Sequence, residues 1–299
     1  MIPSTTAPSR RHRRARAAAA GFAALTLSVL ATGPASANHL PASTPGSCSD
    51  EGYFTTTSRG QVTAFGNAVH QGDASNAPPA RPIVGMANTP TGDGYWLVDN
   101  DGGVLRFGDA PQLGNASALN LNQPVVGIAA TPTGDGYWIV ASDGGIFTYG
   151  DADFYGSTGS LRLNQPIVGL IPTNTGEGYW LVAADGGIFS FGNAPFFGST
   201  GDLRLNKPII GGSTTRSGAG YRLIASDGGV FSFGDADFYG SLGDLVLNQP
   251  ITGLADTFAG QGYWLVAADG GIFTFGDAPF CGSRGNAPLS APTVAITRY

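Results

Sequence analysis

"APTVAITR", Ala291–Arg298, opens a pattern that the chain does not finish. It lies 42 residues beyond "QPITGLAD", Gln249–Asp256, and repeats its outline: a turn proline followed by a short apolar, β-branched run. In the earlier copy that run leads on to Gly262-Tyr263 and a hairpin; in the last copy the chain ends first. Stepping back by 42 from Gly262-Tyr263 lands on Gly220-Tyr221, Gly178-Tyr179, Gly136-Tyr137, Gly94-Tyr95 and Gly52-Tyr53. The chain is therefore six units of constant length, and a fixed period in this range signals a repeat architecture.

The third unit, Gln123–Asn164, shows what one repeat contains. "PVVGIAAT" has the β-branched character of a buried strand, and "PTGDG" is a turn cluster. "YWIVA" is a second strand. "SDGG" follows, and Asp-Gly between two apolar runs is a strong hairpin signal. "IFTY" is a third strand, and the Gly-rich stretch after it has room for a short fourth one around Phe154–Ser157. No segment carries a sustained helical period. A meander of two or three strands is marginal alone, so neighbouring units must supply the missing burial. "GYWLVAADGGIF", present at Gly178–Phe189 and again at Gly262–Phe273, is thus a repeated packing unit.

The two ends decide between a ring and a rod. The last unit is followed by one strand too many, Ala291–Arg298, while the first has "HLPASTPG" where its opening strand belongs. In a ring the C-terminal strand completes the first unit and no sheet edge is left over; a rod would need polar caps. Cys48 stands where other units have Pro90 and Pro132, and Cys281 where they have Tyr155, Phe197 and Tyr239. These two terminal units are neighbours only if the chain closes. The expectation is an all-β, six-bladed β-propeller at 48–299, closed by its C-terminal strand and locked by a Cys48–Cys281 disulfide. In the chain-entropy model such a bond contributes about 4–5 kcal/mol.

Ahead of the repeats, five arginines between Arg10 and Arg16 precede an apolar run, Ala17–Leu30, and the small-residue site "ASA" at Ala35–Ala37. This predicts a signal peptide at 1–37, by general secretion, with a leader segment at 38–47 and a secreted, extracellular protein. The apolar run is short for a membrane span, and no later segment is longer. Without residues 1–37 the charge falls from −6 to −11, because 10 basic residues then face 21 acids. One lysine and scattered arginines do not make a nucleic-acid footprint.

The units "GYWIVASDGGIF" (Gly136–Phe147), "FYGSTG" (Phe154–Gly159) and "LNQPIVG" (Leu163–Gly169) resemble tandem repeats of actinobacterial secreted proteins. In that family similar arrays stand alone or beside cell-wall enzymes. The resemblance spans residues 52–298 and implies a propeller-like fold.

No residue pattern calls for catalysis. The expected mature chain has two histidines, His39 in the leader and His70 in a loop. No nucleophile elbow or zinc signature is present, and no cofactor or metal is expected. Asp101, Asp143, Asp185, Asp227 and Asp269 precede Gly-Gly; Asp109, Asp151, Asp235 and Asp277 follow a strand-ending glycine. Both sets read as turn residues. The aromatic position on the second strand carries Trp96, Trp138, Trp180 and Trp264, with Phe54 in the first unit and Arg222 in the fifth. Two readings stand. Either these side chains pack between blades, or Trp96, Trp138, Trp180, Arg222 and Trp264 form a partly exposed ligand-binding platform. The departures Asp99-Asn100, Arg106 and Arg216 are further candidates for a functional face. The function expected is non-catalytic, lectin-like recognition of an extracellular glycan or a cell-surface protein. A protein–protein scaffold is the alternative, and a propeller glycoside hydrolase or lyase a third reading, should unrepeated carboxylates meet in the central funnel.

Overall fold

The computed structural model describes residues 47–299; the signal segment and the leader up to residue 46, with His39, lie outside the described residues. Six three-stranded antiparallel sheets follow one another, one per repeat. The first strands of the units are β3 (Ile83–Asn88), β6 (Val125–Ala130), β9 (Ile167–Pro172), β12 (Ile209–Thr214), β15 (Ile251–Asp256) and β18 (Thr293–Arg298). Each packs against the first strand of the blade before and after it, β18 meeting β3 and β15, so these six surround the axis. The middle strands are β1 (Gly52–Thr57), β4 (Gly94–Asp99), β7 (Gly136–Ala141), β10 (Gly178–Ala183), β13 (Gly220–Ala225) and β16 (Gly262–Ala267). The outer strands are β2 (Val62–Gly66), β5 (Val104–Gly108), β8 (Ile146–Gly150), β11 (Ile188–Gly192), β14 (Val230–Gly234) and β17 (Ile272–Gly276).

The first blade has the order β18-β1-β2, so the C-terminal strand supplies what the N-terminal unit lacks. Tyr53 pairs with Arg298 and Phe54 with Thr297, in the register the other blades use. Cys48 and Cys281 are bonded with their Cα atoms 5.5 Å apart, inside the range that a disulfide tolerates. The ring is therefore closed twice, by hydrogen bonds and by a covalent bond.

Every inner strand carries a bulge at its second residue, after which a small residue stands nearest its neighbours. A Cβ on Gly85 would lie 3.3 Å from the Cα of Gly127, and one on Gly253 would lie 3.2 Å from the backbone nitrogen of Ile296. The position is glycine in five blades and Ala295 in the first, and the close approach is tightest at Gly85 and Gly253.

The Tyr-Trp dipeptides explain how blade meets blade. Neighbouring strand residues point to opposite faces. The tyrosine faces the preceding blade and the next residue faces the following one. The resulting contacts run round the ring: Phe54–Tyr95, Trp96–Tyr137, Trp138–Tyr179, Trp180–Tyr221 and Trp264–Tyr53, with centroids 5.1–5.9 Å apart. Arg222 fills the remaining place, its guanidinium 5.4 Å from the ring of Tyr263. Aromatic pairs of this geometry contribute about 0.5–1.5 kcal/mol each beyond the area they bury. Each tyrosine hydroxyl also donates to a glycine carbonyl in the preceding blade, as Tyr53 does to Gly282 at 2.6 Å.

The structure differs from the sequence-based expectation at the fourth strand. Phe154–Ser157 is irregular, and every blade stops at three strands. The backbone N–H groups of Tyr155 and Gly156, which a fourth strand would need, instead donate to the Tyr179 hydroxyl. Gly156 also sits at φ +139, outside the range of a regular strand.

Candidate functional site

The exposed-platform reading of the second-strand aromatics does not hold. Trp96, Trp138, Trp180 and Trp264 are each 0% exposed and Arg222 2%. Every indole Nε1–H donates to a backbone carbonyl fifteen residues later, on Pro111, Asp153, Pro195 or Pro279. Large aromatics that find both an apolar wall and a hydrogen-bond acceptor belong in the core.

Arg222 keeps the role of the indole it replaces. Its Nε–H donates to the carbonyl of Asp237, the equivalent acceptor, at 2.9 Å. The remaining charge reaches Asp256 Oδ1 on the next blade at 2.7 Å. Asp256 occupies a position that is Asn88, Ala130, Pro172, Thr214 or Arg298 elsewhere, and Ser213 stands opposite Arg222 where most other blades have Ala87, Ala129, Ile171 or Ala255. Three residues thus depart from the repeat together. Burial pushes the Asp256 carboxyl up, against the pull of Arg222, Ser213 and Arg298.

Asp256 and Arg222 line a central funnel of about 970 Å³, open where the inner strands turn into the middle ones. One wall is neutral and largely apolar, with Met86, Ile128 and Leu170. The other, from the fifth, sixth and first blades, adds Arg216, Phe258 and Arg298. Glu51 lies beside it and accepts the Phe258 N–H at 3.1 Å. Burial raises the Glu51 carboxyl, and burial lowers the Arg298 guanidinium while Glu51 and Asp256 hold it up. Asp256, an unrepeated carboxylate, thus sits at the funnel with Glu51 beside it, and each holds a structural partner.

The repeated acids are turn residues. Oδ1 of Asp143, Asp185, Asp227 and Asp269 accepts the backbone N–H two residues on, at 2.9–3.0 Å. In the second blade Asp99 takes that task for Gly103, and Asp101 pairs with Arg81 at 2.6 Å. Asp109, Asp151, Asp235 and Asp277 accept hydroxyl protons from Thr89, Thr131, Thr215 and Thr257 at 2.8 Å, tying the outer strand to the inner turn. Arg106 bonds Gln112 and His70 lies 3.6 Å from Asp73, both local contacts.

A different aromatic set is exposed. Phe154, Phe196, Phe238 and Phe280 stand at one repeat position, each about 60% exposed. Beside them, at a second repeat position, are the exposed Leu119, Leu161, Leu203 and Leu245. On the fifth blade Leu203 and Phe238 line one groove of about 430 Å³, with Arg204, Lys207, Asp227 and Asp244 around it. Where the phenylalanine becomes His70 or Gln112, the matching leucine becomes Ala287 or Ala77. The two positions change together, so they act as a pair, and exposed paired apolar residues mark interaction surfaces. The signal was present in the sequence as a large apolar residue kept four times inside a Gly-rich polar loop.

No protein-family model and no curated protein matches the sequence. Solved structures do. The chain is similar to the β-propeller domain of Cps50 (Swd1) from Myceliophteria thermophila, at 11% identity and a TM-score of 0.50, over 84% of this chain and 83% of that one. It is also similar to a structural-genomics protein of unknown function from Bacteroides thetaiotaomicron, at 12% identity and a TM-score of 0.52, over 83% and 71%. At such identities the likeness concerns the fold, a propeller built from repeated sheets.

Proposed function

We propose that this propeller is a secreted, non-catalytic recognition module that binds an extracellular glycan through its repeated Leu–Phe grooves. One observation carries the reading: exposed leucines of the second to fifth units recur 35 residues before exposed phenylalanines of the third to sixth, as in the groove lined by Leu203 and Phe238, and the two remaining places have Ala77 with Gln112 and Ala287 with His70. A sugar offers a C–H face that an exposed ring covers, and hydroxyls that charged groups such as Arg204 and Asp244 can bond. Such contacts are individually weak, but linked sites on one ligand multiply them. A repeating polymer would meet four equivalent Leu–Phe pairs.

The same grooves would suit a protein partner, so the test separates the two. The purified protein is screened on a glycan array and in cell-wall pull-downs, beside a variant carrying Phe154→Ala, Phe196→Ala, Phe238→Ala and Phe280→Ala. The side chains are exposed, so the variant keeps its fold. Binding by the parent and loss by the variant support the proposal. Capture of one defined protein, insensitive to free sugar, transfers the grooves to the scaffold reading. Equal glycan binding by both proteins overturns it.

A further inference from the structure

The funnel carries a second arrangement that the repeat does not require. Phe258 is 61% exposed at its mouth. Arg216 lies over that ring with its guanidinium carbon 4.5 Å from the centroid, and Arg298 approaches the same ring at 5.4 Å. Arg216 donates to the Phe258 carbonyl and Arg298 to the Thr257 carbonyl, at 3.1 Å for the latter. Glu51 holds the Phe258 N–H from behind. Two cations therefore stand against a ring that stays largely exposed, and its position is Pro90, Pro132, Asn174 or Arg216 in other blades.

Charge is arranged around it in the same sense. The inner turns of the second, third and fourth blades carry Asp93, Asp135 and Glu177; the fifth and sixth have Ala219 and Gln261 there. The first blade has Glu51 at this position, beside Arg298 and Phe258. Arg216, Arg222 and Arg298 stand at this part of the mouth with Asp256 and Glu51. Arg222 is committed to Asp256, which leaves the exposed Arg216 and the half-buried Arg298 as the anion-facing groups.

We infer that the funnel mouth, at the junction of the fifth, sixth and first blades, binds a sugar acid: a six-membered ring bearing one carboxylate, as in a uronate. Its carboxylate lies against Arg216 and Arg298, its C–H face covers Phe258, and the neutral wall of Ile128 and Leu170 receives the rest of the ring. A guanidinium beside a carboxylate makes a charge-assisted hydrogen bond, about twice as strong as a neutral one. This site is separate from the Leu–Phe grooves and stands whether or not they bind.

Titration calorimetry and NMR on the purified protein test it with sodium glucuronate, a short oligoglucuronate, glucose and inorganic phosphate. The parent is expected to bind glucuronate and not glucose. Arg216→Gln should weaken binding roughly tenfold, the worth of one charge-assisted bond. Phe258→Leu should weaken it several-fold. Both funnel variants change exposed side chains, so an unchanged melting temperature confirms their fold. Tighter binding of the oligomer than the monosaccharide assigns the site to a polymer; equal affinity assigns it to a free or terminal acid, and both support the inference. Equal binding of glucose, preference for phosphate, no effect of Arg216→Gln, or no glucuronate binding overturns it.

Discussion

Replacing Arg222 with Trp and Asp256 with Ala would rebuild, between the fifth and sixth blades, the junction found between the second and third. There Trp96 stands beside Ala130, and its indole bonds the Pro111 carbonyl as Arg222 bonds that of Asp237. The present pair is buried, Arg222 with 2% and Asp256 with 15% of the side chain exposed, at 2.7 Å. Removing one partner of such a pair costs about 3–5 kcal/mol, because the other charge is left unpaired in low dielectric. Asp256 keeps a little water contact, so Asp256→Ala alone should cost about 3 kcal/mol. For a ring of this size that lowers Tm by roughly 10 °C. The double variant removes both charges and restores the packing of the repeat, and such replacements are neutral or stabilising by about 1–4 kcal/mol. It should therefore melt at or above the parent. Urea and thermal unfolding of the four proteins in the cycle give the coupling directly. An Asp256→Ala variant as stable as the parent, or a double variant as damaged as Asp256→Ala, would refute the reasoning. Stability gained by the double variant would mean that the charged triad is not kept for folding.

Two more outcomes follow from the closure and the blade contacts. A Cys48→Ser, Cys281→Ser variant should lose about 4–5 kcal/mol in urea unfolding, since the bond joins residues 233 apart; an unchanged midpoint would mean that β18 alone closes the ring. Burial pushes the hydroxyls of Tyr53, Tyr95 and Tyr137 up to about 12 from an ordinary 10.0. Their folded values lie above the unfolded ones, so their contribution is complete below pH 10 and is lost as pH rises toward 12. Each therefore withdraws stability across that window. A tyrosinate absorbance titration should rise cooperatively with loss of near-UV circular dichroism; gradual titration without unfolding would contradict it.

The fold was legible because repetition makes each unit a check on the others. The step of 42 placed every hairpin, the surplus strand at Ala291–Arg298 identified the closure, and the replacement of Pro90 and Tyr155 equivalents by Cys48 and Cys281 identified the bond. The fourth strand was misread because its backbone donors are taken by tyrosines such as Tyr179, one unit away, a demand that local composition does not carry. The site was less legible. Trp at a repeated position says only that a large apolar contact is repeated; whether water or a neighbouring blade provides it depends on which face each residue of the Tyr-Trp pair takes. Arg222 looked like evidence of exposure until the Asp237 carbonyl and Asp256, on the next blade, supplied its partners. The Leu–Phe pairs were hidden for another reason. Their members lie 35 residues apart, such as Leu203 and Phe238, and only the propeller brings them to one groove.

Four equivalent Leu–Phe pairs are proposed to hold the ligand. The stoichiometry of binding tests it most directly. A monovalent fragment of the glycan selected on the array, titrated calorimetrically into the purified protein, should saturate at four equivalents per chain, falling to three in Phe238→Ala. One equivalent per chain, unchanged by Phe238→Ala, would contradict the account.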